Sequence, residues 1–258
     1  MFRNRAKIVH LHSGANSIWA LFLRLAGKKV YVSQFAMDWK RDKWPWYEKL
    51  FYQLSNYLNA YIPHTVIFDN IFTKEYFEKK FRRKYDFIPY GSEVKEPPAN
   101  LDILHKLGIS PRQYLLFVGR FIPDKGVHIL IEAFRKVDTR MKLVLIGGSP
   151  NPGEYEKKIK NTVDERIIFP GYIYGDDTNI LMKNAYVYIQ PSLIEGLSPV
   201  ILTVMGLGTP LVCSDIVETV SYTHLRAHET VLDIVCRLLL EKKNIKKLKT
   251  KMISTQRL

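Results

Sequence analysis

The stretch from Tyr114 to Val137 constrains this 258-residue chain more than any other. The run Tyr114-Leu115-Leu116-Phe117-Val118 has strand character and ends at Gly119, and Arg120 and Lys125 follow, five residues apart. From Val127 the period changes. Val127, Leu130, Ile131 and Phe134 fall at i, i+3, i+4 and i+7, which predicts a helix. A strand–loop–helix unit places its loop at the carboxyl end of a parallel strand, where α/β proteins bind ligands. Two cations there, beside a new helix N-terminus, suit capture of a phosphate or diphosphate. A surface turn with two solvated cations is the other reading.

A second stretch repeats the arrangement. A strand runs into Pro191-Ser192-Leu193-Ile194-Glu195-Gly196-Leu197-Ser198-Pro199, where Ser198 and Pro199 read as the N-cap and first residue of a helix. That helix runs towards Gly206 and is closed by Gly208 and Pro210. Backbone N–H groups again point at a crevice, here beside the carboxylate of Glu195. Around these two sites the first half alternates short strands with helices, and the second half does the same, which predicts parallel sheets. Strands are expected at Ile8 to His12, Lys29 to Ser33, His64 to Phe68, Asp86 to Ile88, Lys142 to Gly148, Arg166 to Phe169 and Tyr186 to Gln190. Helices are expected at Ser17 to Leu25, Tyr47 to Leu58 and from Thr73, as cap, to Phe81, and the second helix carries its apolar stripe on Leu50, Phe51, Leu54 and Leu58. Further helices are read at Leu101 to Leu107, at Glu154 to Val163, as a polar surface helix, and at Asn179 to Asn184. Residues 94–100, with Pro97-Pro98, read as a linker between a domain at 1–93 and another at 101–219.

Composition narrows the function classes. At 47% hydrophobic and 12% aromatic residues, disorder is excluded and a sizeable core is available. Of the net charge of +14, the stretch from Ser221 to Leu258 supplies +6 with nine Lys/Arg and three Asp/Glu, and the remaining +8 suits acidic partners such as phosphorylated sugars or anionic lipid headgroups. It would suit nucleic acid too, but no nucleic-acid motif occurs. Cys213 and Cys236 form neither a disulfide framework nor a metal-ligand spacing, and no run approaches eighteen apolar residues. A cytoplasmic protein is expected, with rest against the inner face of the plasma membrane left open. His10 and His12 face one side of their strand, yet a metal reading lacks further ligands, and a structural role is favoured.

The two stretches together resemble the donor loops of glycosyltransferase family 4, whose members have the GT-B fold: two Rossmann-like domains with parallel sheets facing across a cleft. In that family the arginine and lysine matching Arg120 and Lys125 bind the diphosphate of a nucleotide-sugar. Planar bidentate arginine and mobile lysine suit a diphosphate without metal, and no Asp-x-Asp triplet occurs. Glu195-Gly196-Leu197-Ser198 resembles the start of the family's Glu-x7-Glu motif. The resemblance implies that Glu195 lies near the donor sugar and that the Leu197 and Ser198 amides face the phosphates. Gly119, Gly147 and Tyr172 match other donor-side positions, Gly171-Tyr172 lying where the family's backbone holds the base. The motif's second glutamate is replaced by Thr203, which should bind ribose hydroxyls less strongly, by about 1.5–3 kcal/mol. The implied activity is sugar transfer with retention from a nucleotide-diphospho-sugar to a glycan or lipid-linked acceptor, without cofactor or metal. A binder of nucleotide-sugars that has lost turnover is the alternative, and a basic membrane-surface or nucleic-acid module the third.

Two more regions bear on that implication. Asp38-Trp39-Lys40-Arg41-Asp42-Lys43-Trp44 is dense in charge and tryptophan and reads either as the lining of an acceptor cleft or as a basic membrane-facing loop. It resembles a rhamnosyltransferase-like subgroup of polysaccharide assembly, in which a His-Gly pair stands where this chain has Phe35-Ala36. That leaves Phe35, Asp38 and Trp39 as acceptor-side candidates. From about residue 220 to Leu258 the chain resembles translated sequencing-adapter read-through. Taken at face value it is a basic amphipathic helix, with His224 and His228 at i, i+4. The resemblance therefore covers about residues 7 to 216 and implies an N-terminal domain that is incomplete and a C-terminal domain that is truncated.

Overall fold

A computed structural model describes residues 6–35, 37, 45–89, 91–92, 94–149, 152–195, 198–214, 216 and 250–253. The chain divides into two compact units, Met1–Tyr90 and Gly91–Leu258, so the division falls three residues before the expected end of the first domain.

The first unit is a four-stranded sheet in the order β1-β2-β3-β4, built from β1 (Ile8–His12), β2 (Lys29–Gln34), β3 (Thr65–Phe68) and β4 (Asp86–Phe87). All three pairings are parallel, with Leu11 opposite Val32 and Val32 opposite Val66. Parallel neighbours need crossovers, supplied by α1 (Ser17–Leu25), α2 (Trp46–Tyr61) and α3 (Ile71–Phe81). Val30, Val32 and Leu11 pack on Ala20 and Leu23 of α1, while Val66 and Phe68 pack on Phe77 and Phe81 of α3. The cap of α3 is not Thr73 but Asn70, whose side-chain Oδ1 accepts from the Phe72 and Thr73 amides at 3.0 and 3.2 Å. Asn70 lies one residue before the helix in extended backbone, the conformation an N-cap requires, whereas Thr73 is buried inside the first turn.

The apolar stripe expected to anchor α2 points the other way. Leu50, Phe51 and Leu54 are exposed, and the buried face holds Ser55, Asn56, Asn59 and Ala60. Asn59 reaches the side chain of Gln34 on β2 at 3.1 Å, a polar contact that orients the helix.

In the second unit the strands are β5 (Tyr114–Arg120), β6 (Lys142–Gly148), β7 (Ile167–Gly171), β8 (Val187–Gln190), β9 (Leu211–Ser214) and β10 (Thr250–Ile253). Their order is β10-β9-β8-β5-β6-β7. All pairs are parallel except β10 with β9, so the four described residues of the tail form an antiparallel edge strand, not a helix. The remainder of the expected helix at 220–258, with His224, His228 and Cys236, lies outside the described residues. Helices α4 (Asp102–Lys106), α7 (Asp176–Asn184) and α8 (Pro199–Gly206) cover one face, and α5 (Val127–Arg135) and α6 (Glu154–Lys160) the other. Alternate residues of β5 feed the two cores: Leu116 joins Ile180, Leu181 and Ile201, and Leu115 and Phe117 join Leu130 and Phe134. Burial on both faces explains why these strands read as continuous apolar runs. The start of the segment read as a linker, and Ser92 just before it, are tied into this unit. Ser92 Oγ meets Thr203 Oγ1 of α8 at 2.9 Å, and Val94 fills the space beside Gly206.

Candidate nucleotide-sugar site

The winding of the second unit fixes where a ligand can go. From β5 the chain steps to β6 and β7 on one side, then returns to place β8 and β9 on the other. The switch point is therefore between β5 and β8, and crevices in open α/β sheets lie there, beyond the carboxyl ends. The two strands pair only at Leu115 with Val187 and Leu116 with Tyr188, which leaves their ends apart. The Tyr188 phenol crosses this gap, donating to Val118 O at 3.1 Å with Gln190 Oε1 at 2.8 Å, and Gln190 Nε2 donates to Ser192 Oγ at 2.8 Å. Burial, with the Glu195 carboxylate nearby, pushes the Tyr188 phenol above its ordinary range, so it stays a neutral donor.

Both loops flank this crevice. The β5 loop turns through Pro123–Lys125 and reaches Gly126 at φ 65°, a left-handed position where a Cβ would run into Pro191's carbonyl oxygen. Leu193 N donates to Asp124 O at 2.8 Å, stitching the two loops together. Across them the Lys125 ammonium bonds both oxygens of Glu195, 2.7 Å from Oε1. The two side chains are only 16% and 8% exposed, so the pair is largely withdrawn from water. Arg120 stands exposed at the end of β5.

The floor is glycine. Gly119 and Gly147 are register partners at the ends of β5 and β6, and Gly147 has φ 122° with its missing Cβ aimed at Gly119's carbonyl oxygen. Such a floor lets a ligand approach backbone closely. Beside it, Tyr172 is half exposed over Gly148, and its ring stacks on Tyr174 with 5.9 Å between centroids. The expected polar surface helix at 154–163 ends at Lys160 and is anchored by a buried acid. Glu156, 3% exposed, accepts from Ser149 N at 2.7 Å and pairs with Lys160 at 2.7 Å, holding the turn after β6. Sequence reading missed Glu156 because a charged residue among lysines carries no mark of burial.

Ser198 precedes α8 in extended backbone with Pro199 at the first position, as expected of a cap, but its hydroxyl makes no capping bond. Thr203 donates to Pro199 O at 3.1 Å and meets Ser92 Oγ, so its hydroxyl is engaged within the unit. Of the candidate residues, the structure brings Gly119, Arg120, Lys125, Gly147, Glu195 and Ser198 around the switch point. Gly196, Leu197, Asp38 and Trp39 lie outside the described residues.

Phe35 belongs to the first unit, where it lines a cavity of about 190 Å³ with His10, His12, Ser33, Ile67, Asp69, Ile88 and Pro89. The His12 ring stacks with Phe35 at 6.1 Å between centroids and lies tilted against His10 at 4.5 Å, and His10 Nε2 bonds Ser33 Oγ at 2.8 Å. Burial lowers the His10 pKa, and His12 beside it adds to the effect. Asp69 is 6% exposed and its Oδ1 has no partner among the described residues. Burial raises its pKa to about 7 against the opposing pull of its own and Asn70's backbone amides. This carboxyl was not singled out from sequence, and nothing in its neighbours would have flagged it. Among the described residues no group of three or more His, Cys, Asp or Glu is placed to hold a metal ion.

The profile of the family Glycosyl transferases group 1 matches residues 112–255, more than half of the chain. The chain belongs to this family. Among curated relatives of this group 1 chain, O-antigen chain mannosyltransferase B of Escherichia coli is 29% identical over 137 residues, covering 51% of the chain and 35% of that protein. An uncharacterized glycosyltransferase of Methanocaldococcus jannaschii is 37% identical over 106 residues, 40% of the chain and 27% of that protein. The chain thus spans about a third of the length of these relatives. Anabaena HepE, solved in complex with UDP and glucose, superposes with a TM-score of 0.71 at 19% identity, over 86% of this chain and 62% of that one. At that identity the likeness speaks for the fold alone, α/β of the GT-B type. No helix among the described residues is long and apolar enough to cross a membrane.

Proposed function

We propose that the protein of which this chain is part transfers a sugar from a nucleotide-diphospho-sugar to a glycan or lipid-linked acceptor in polysaccharide assembly, without a metal and with retention. The observation that carries the reading is the Lys125–Glu195 pair, set over a two-glycine floor at the switch point and flanked by exposed Arg120. In the transfer the bond from the anomeric carbon to the diphosphate oxygen breaks, and the acceptor oxygen bonds that carbon. The acceptor's proton passes to the departing diphosphate. Negative charge grows on the diphosphate as it leaves, and Arg120 and Lys125 stabilise it where it develops. Glu195 orients the hydroxyls of the donor sugar. Gly119 and Gly147 admit the phosphates to the backbone, with the Leu197 and Ser198 amides at the start of α8 assisting. Tyr172 supports the base and Thr203 faces the ribose. The histidine–phenylalanine cavity of the first unit, with Phe35 and Asp69, takes acceptor hydroxyls, for which ring faces and the unpartnered Oδ1 of Asp69 are suited.

The relatives' printed roles agree in kind, since O-antigen chains are polysaccharides and HepE holds UDP and glucose. Thr203 in place of a carboxylate, with its hydroxyl already bonded to Pro199 O, favours a second reading: binding of nucleotide without turnover. The test is a thermal-shift panel of the chain with UDP, GDP, dTDP and ADP, with Arg120→Ala as control. A shift for one nucleotide, lost in the variant, supports the donor site; a cooperative melt with no shift refutes it. Retention of the shift without mass-spectrometric detection of a glycosylated acceptor selects the second reading.

A further inference from the structure

Helix α5 starts at Val127, two residues after Lys125, and its head is completed by another helix. The Ile129 and Leu130 amides return to Gly126 O at 3.0 and 3.2 Å, which leaves the Val127 and His128 amides without an acceptor on the helix itself. Gly126 stands at the N-cap and has no side chain to offer them. The acceptor comes from α6. The Tyr155 phenol oxygen accepts from the His128 amide at 3.4 Å and meets the same residue's Nδ1 at 2.7 Å, the two rings edge to face with 5.5 Å between centroids.

The phenol has one proton. Its oxygen accepts from the amide, so the proton is donated to Nδ1, an arrangement open only to a neutral imidazole with its hydrogen on Nε2. The surroundings keep both groups neutral at pH 7. Burial lowers the His128 pKa below its ordinary 6.5, with Glu132 on the next turn of α5 opposing and Lys158 of α6 adding to the effect. Burial raises that of Tyr155 against the pull of the His128 and Val127 amides, and the Asp124 carboxylate of the β5 loop adds to the rise.

This clasp closes the third side of the turn that carries Lys125. The first side is Gly126, held left-handed against the Pro191 carbonyl, and the second is Asp124 O, which accepts from the Leu193 amide at 2.8 Å. Helix α6 is itself tied to the turn after β6 through Glu156, and its Lys160 ammonium stands 6.0 Å from the Phe121 ring centroid. The loops after β5 and β6, which bear the cations and the glycine floor, are thus joined through the helix of Tyr155. The head of α5, expected from sequence to attract the anion itself, is filled by a phenol, which leaves it the task of placing Lys125.

We propose that Tyr155, oriented by His128, is a positioning residue of the donor site: by capping α5 from α6 it fixes the turn in which Lys125 stands, and so the cation that meets the diphosphate, without touching the ligand. The proposal rests on the donor reading above. A lysine whose backbone is already placed loses less freedom on binding, and preorganisation of that kind adds to affinity. A cap that only stabilised the helix would change the melt and leave the discrimination between one phosphate and two as it was.

The test is isothermal titration of the full chain with the nucleoside diphosphate that shifts its melt and with the matching monophosphate, which lacks the second phosphate. Tyr155→Phe keeps the ring and removes the hydroxyl. It should weaken diphosphate binding about tenfold, the worth of one hydrogen bond, and monophosphate binding by less than about twofold. His128→Asn keeps an acceptor near the place of Nδ1 and should hold diphosphate affinity within about threefold of the parent at about pH 7.5.

The pH profile is a second measurement that does not depend on Tyr155→Phe. Protonating the imidazole removes the acceptor, so the parent's diphosphate affinity is complete above pH 6.5 and is lost as pH falls through the lower, folded pKa of His128. His128→Asn has no such step. The ligand's own protonation is common to both and cancels in the ratio of their affinities, which should change several-fold between about pH 7.5 and about pH 5. Equal losses of diphosphate and monophosphate binding in Tyr155→Phe, no loss of either, or a ratio that stays flat with pH overturns the proposal. If Tyr155→Phe fails to melt cooperatively, the ratio decides alone. Diphosphate binding that survives Tyr155→Phe unchanged means that positioning alone has failed. A parent that binds none of UDP, GDP, dTDP and ADP means that the donor reading has failed and takes this proposal with it.

Discussion

Replacing Glu195 by glutamine should lower the stability of the chain and at the same time tighten its hold on a nucleoside diphosphate. The carboxylate binds Lys125 through both oxygens, and with side chains only 16% and 8% exposed, little water is available to replace it. Glu195→Gln keeps the shape and one acceptor but leaves the ammonium without a counter-charge, a loss of about 1–3 kcal/mol. For a chain of this size each kcal/mol moves Tm by about 2–4 °C, so a drop on the order of 5 °C is expected. Diphosphate binding should move the other way. An entering phosphate meets a lysine already neutralised and a carboxylate of its own sign. At about 5 Å and an effective dielectric near 20, that repulsion is about 3 kcal/mol, and screening reduces it to about 1–2. Removing it should tighten binding roughly tenfold.

The assay is isothermal titration with whichever nucleoside diphosphate shifts the melt, beside thermal melts of the free protein. Lys125→Met is the counterpart and should weaken binding, since it removes the cation. The intact nucleotide-sugar should gain less from Glu195→Gln than the diphosphate does, because the contact between Glu195 and the sugar is lost. If Glu195→Gln leaves diphosphate affinity unchanged, or lowers it in step with stability, the two groups do not compete and the charge argument is wrong.

Gly147→Ala should cost at least about 3 kcal/mol and remove nucleotide binding, because φ 122° and the nearby Gly119 carbonyl leave no room for a methyl group; a melt within 2 °C of the parent at about this size would refute the strain. Asp69→Asn should stabilise the first unit in a pH-dependent way. The folded Asp69 holds its proton up to about pH 7 against 3.8 in the reference state, so the folded chain binds more protons between those values and loses stability as pH rises through them. The variant should match the parent near pH 4 and exceed it above pH 7 by up to about 4 kcal/mol, and a pH-independent difference in melts would count against the burial of a neutral carboxyl. Glu156→Gln should loosen the turn after β6 by about 1–2 kcal/mol, read as a lower Tm and faster amide exchange at Ser149.

The second unit was legible because its strands are apolar on both faces and stop at glycines. Tyr114 to Gly119 and Lys142 to Gly148 could hardly be anything but buried parallel strands. The site was legible only in pieces. Arg120, Lys125 and Glu195 each carried a motif, but the contact between Lys125 and Glu195 spans seventy positions and depends on β5 and β8 becoming neighbours. Local spacing does not encode strand order. Glu156 and Asp69 were invisible for a different reason: burial of a charged group is decided by what packs over it, and Glu156 stands among lysines that read as surface, while Asp69 follows the strand ending at Phe68 with no motif of its own.

Helix α2 exposes the limit of periodicity most directly. A 3.6-residue repeat fixes which side chains share a face, and Leu50, Phe51 and Leu54 do share one. It does not say whether that face turns inward. The orientation is settled by the other stripe. Asn59 bonds the Gln34 side chain beneath the helix, and Ser55 and Asn56 are buried with it. Burying three polar residues while exposing tyrosine, tryptophan and leucine is unfavourable for a helix that meets only water, by roughly 1.5–3 kcal/mol for each large apolar side chain left out.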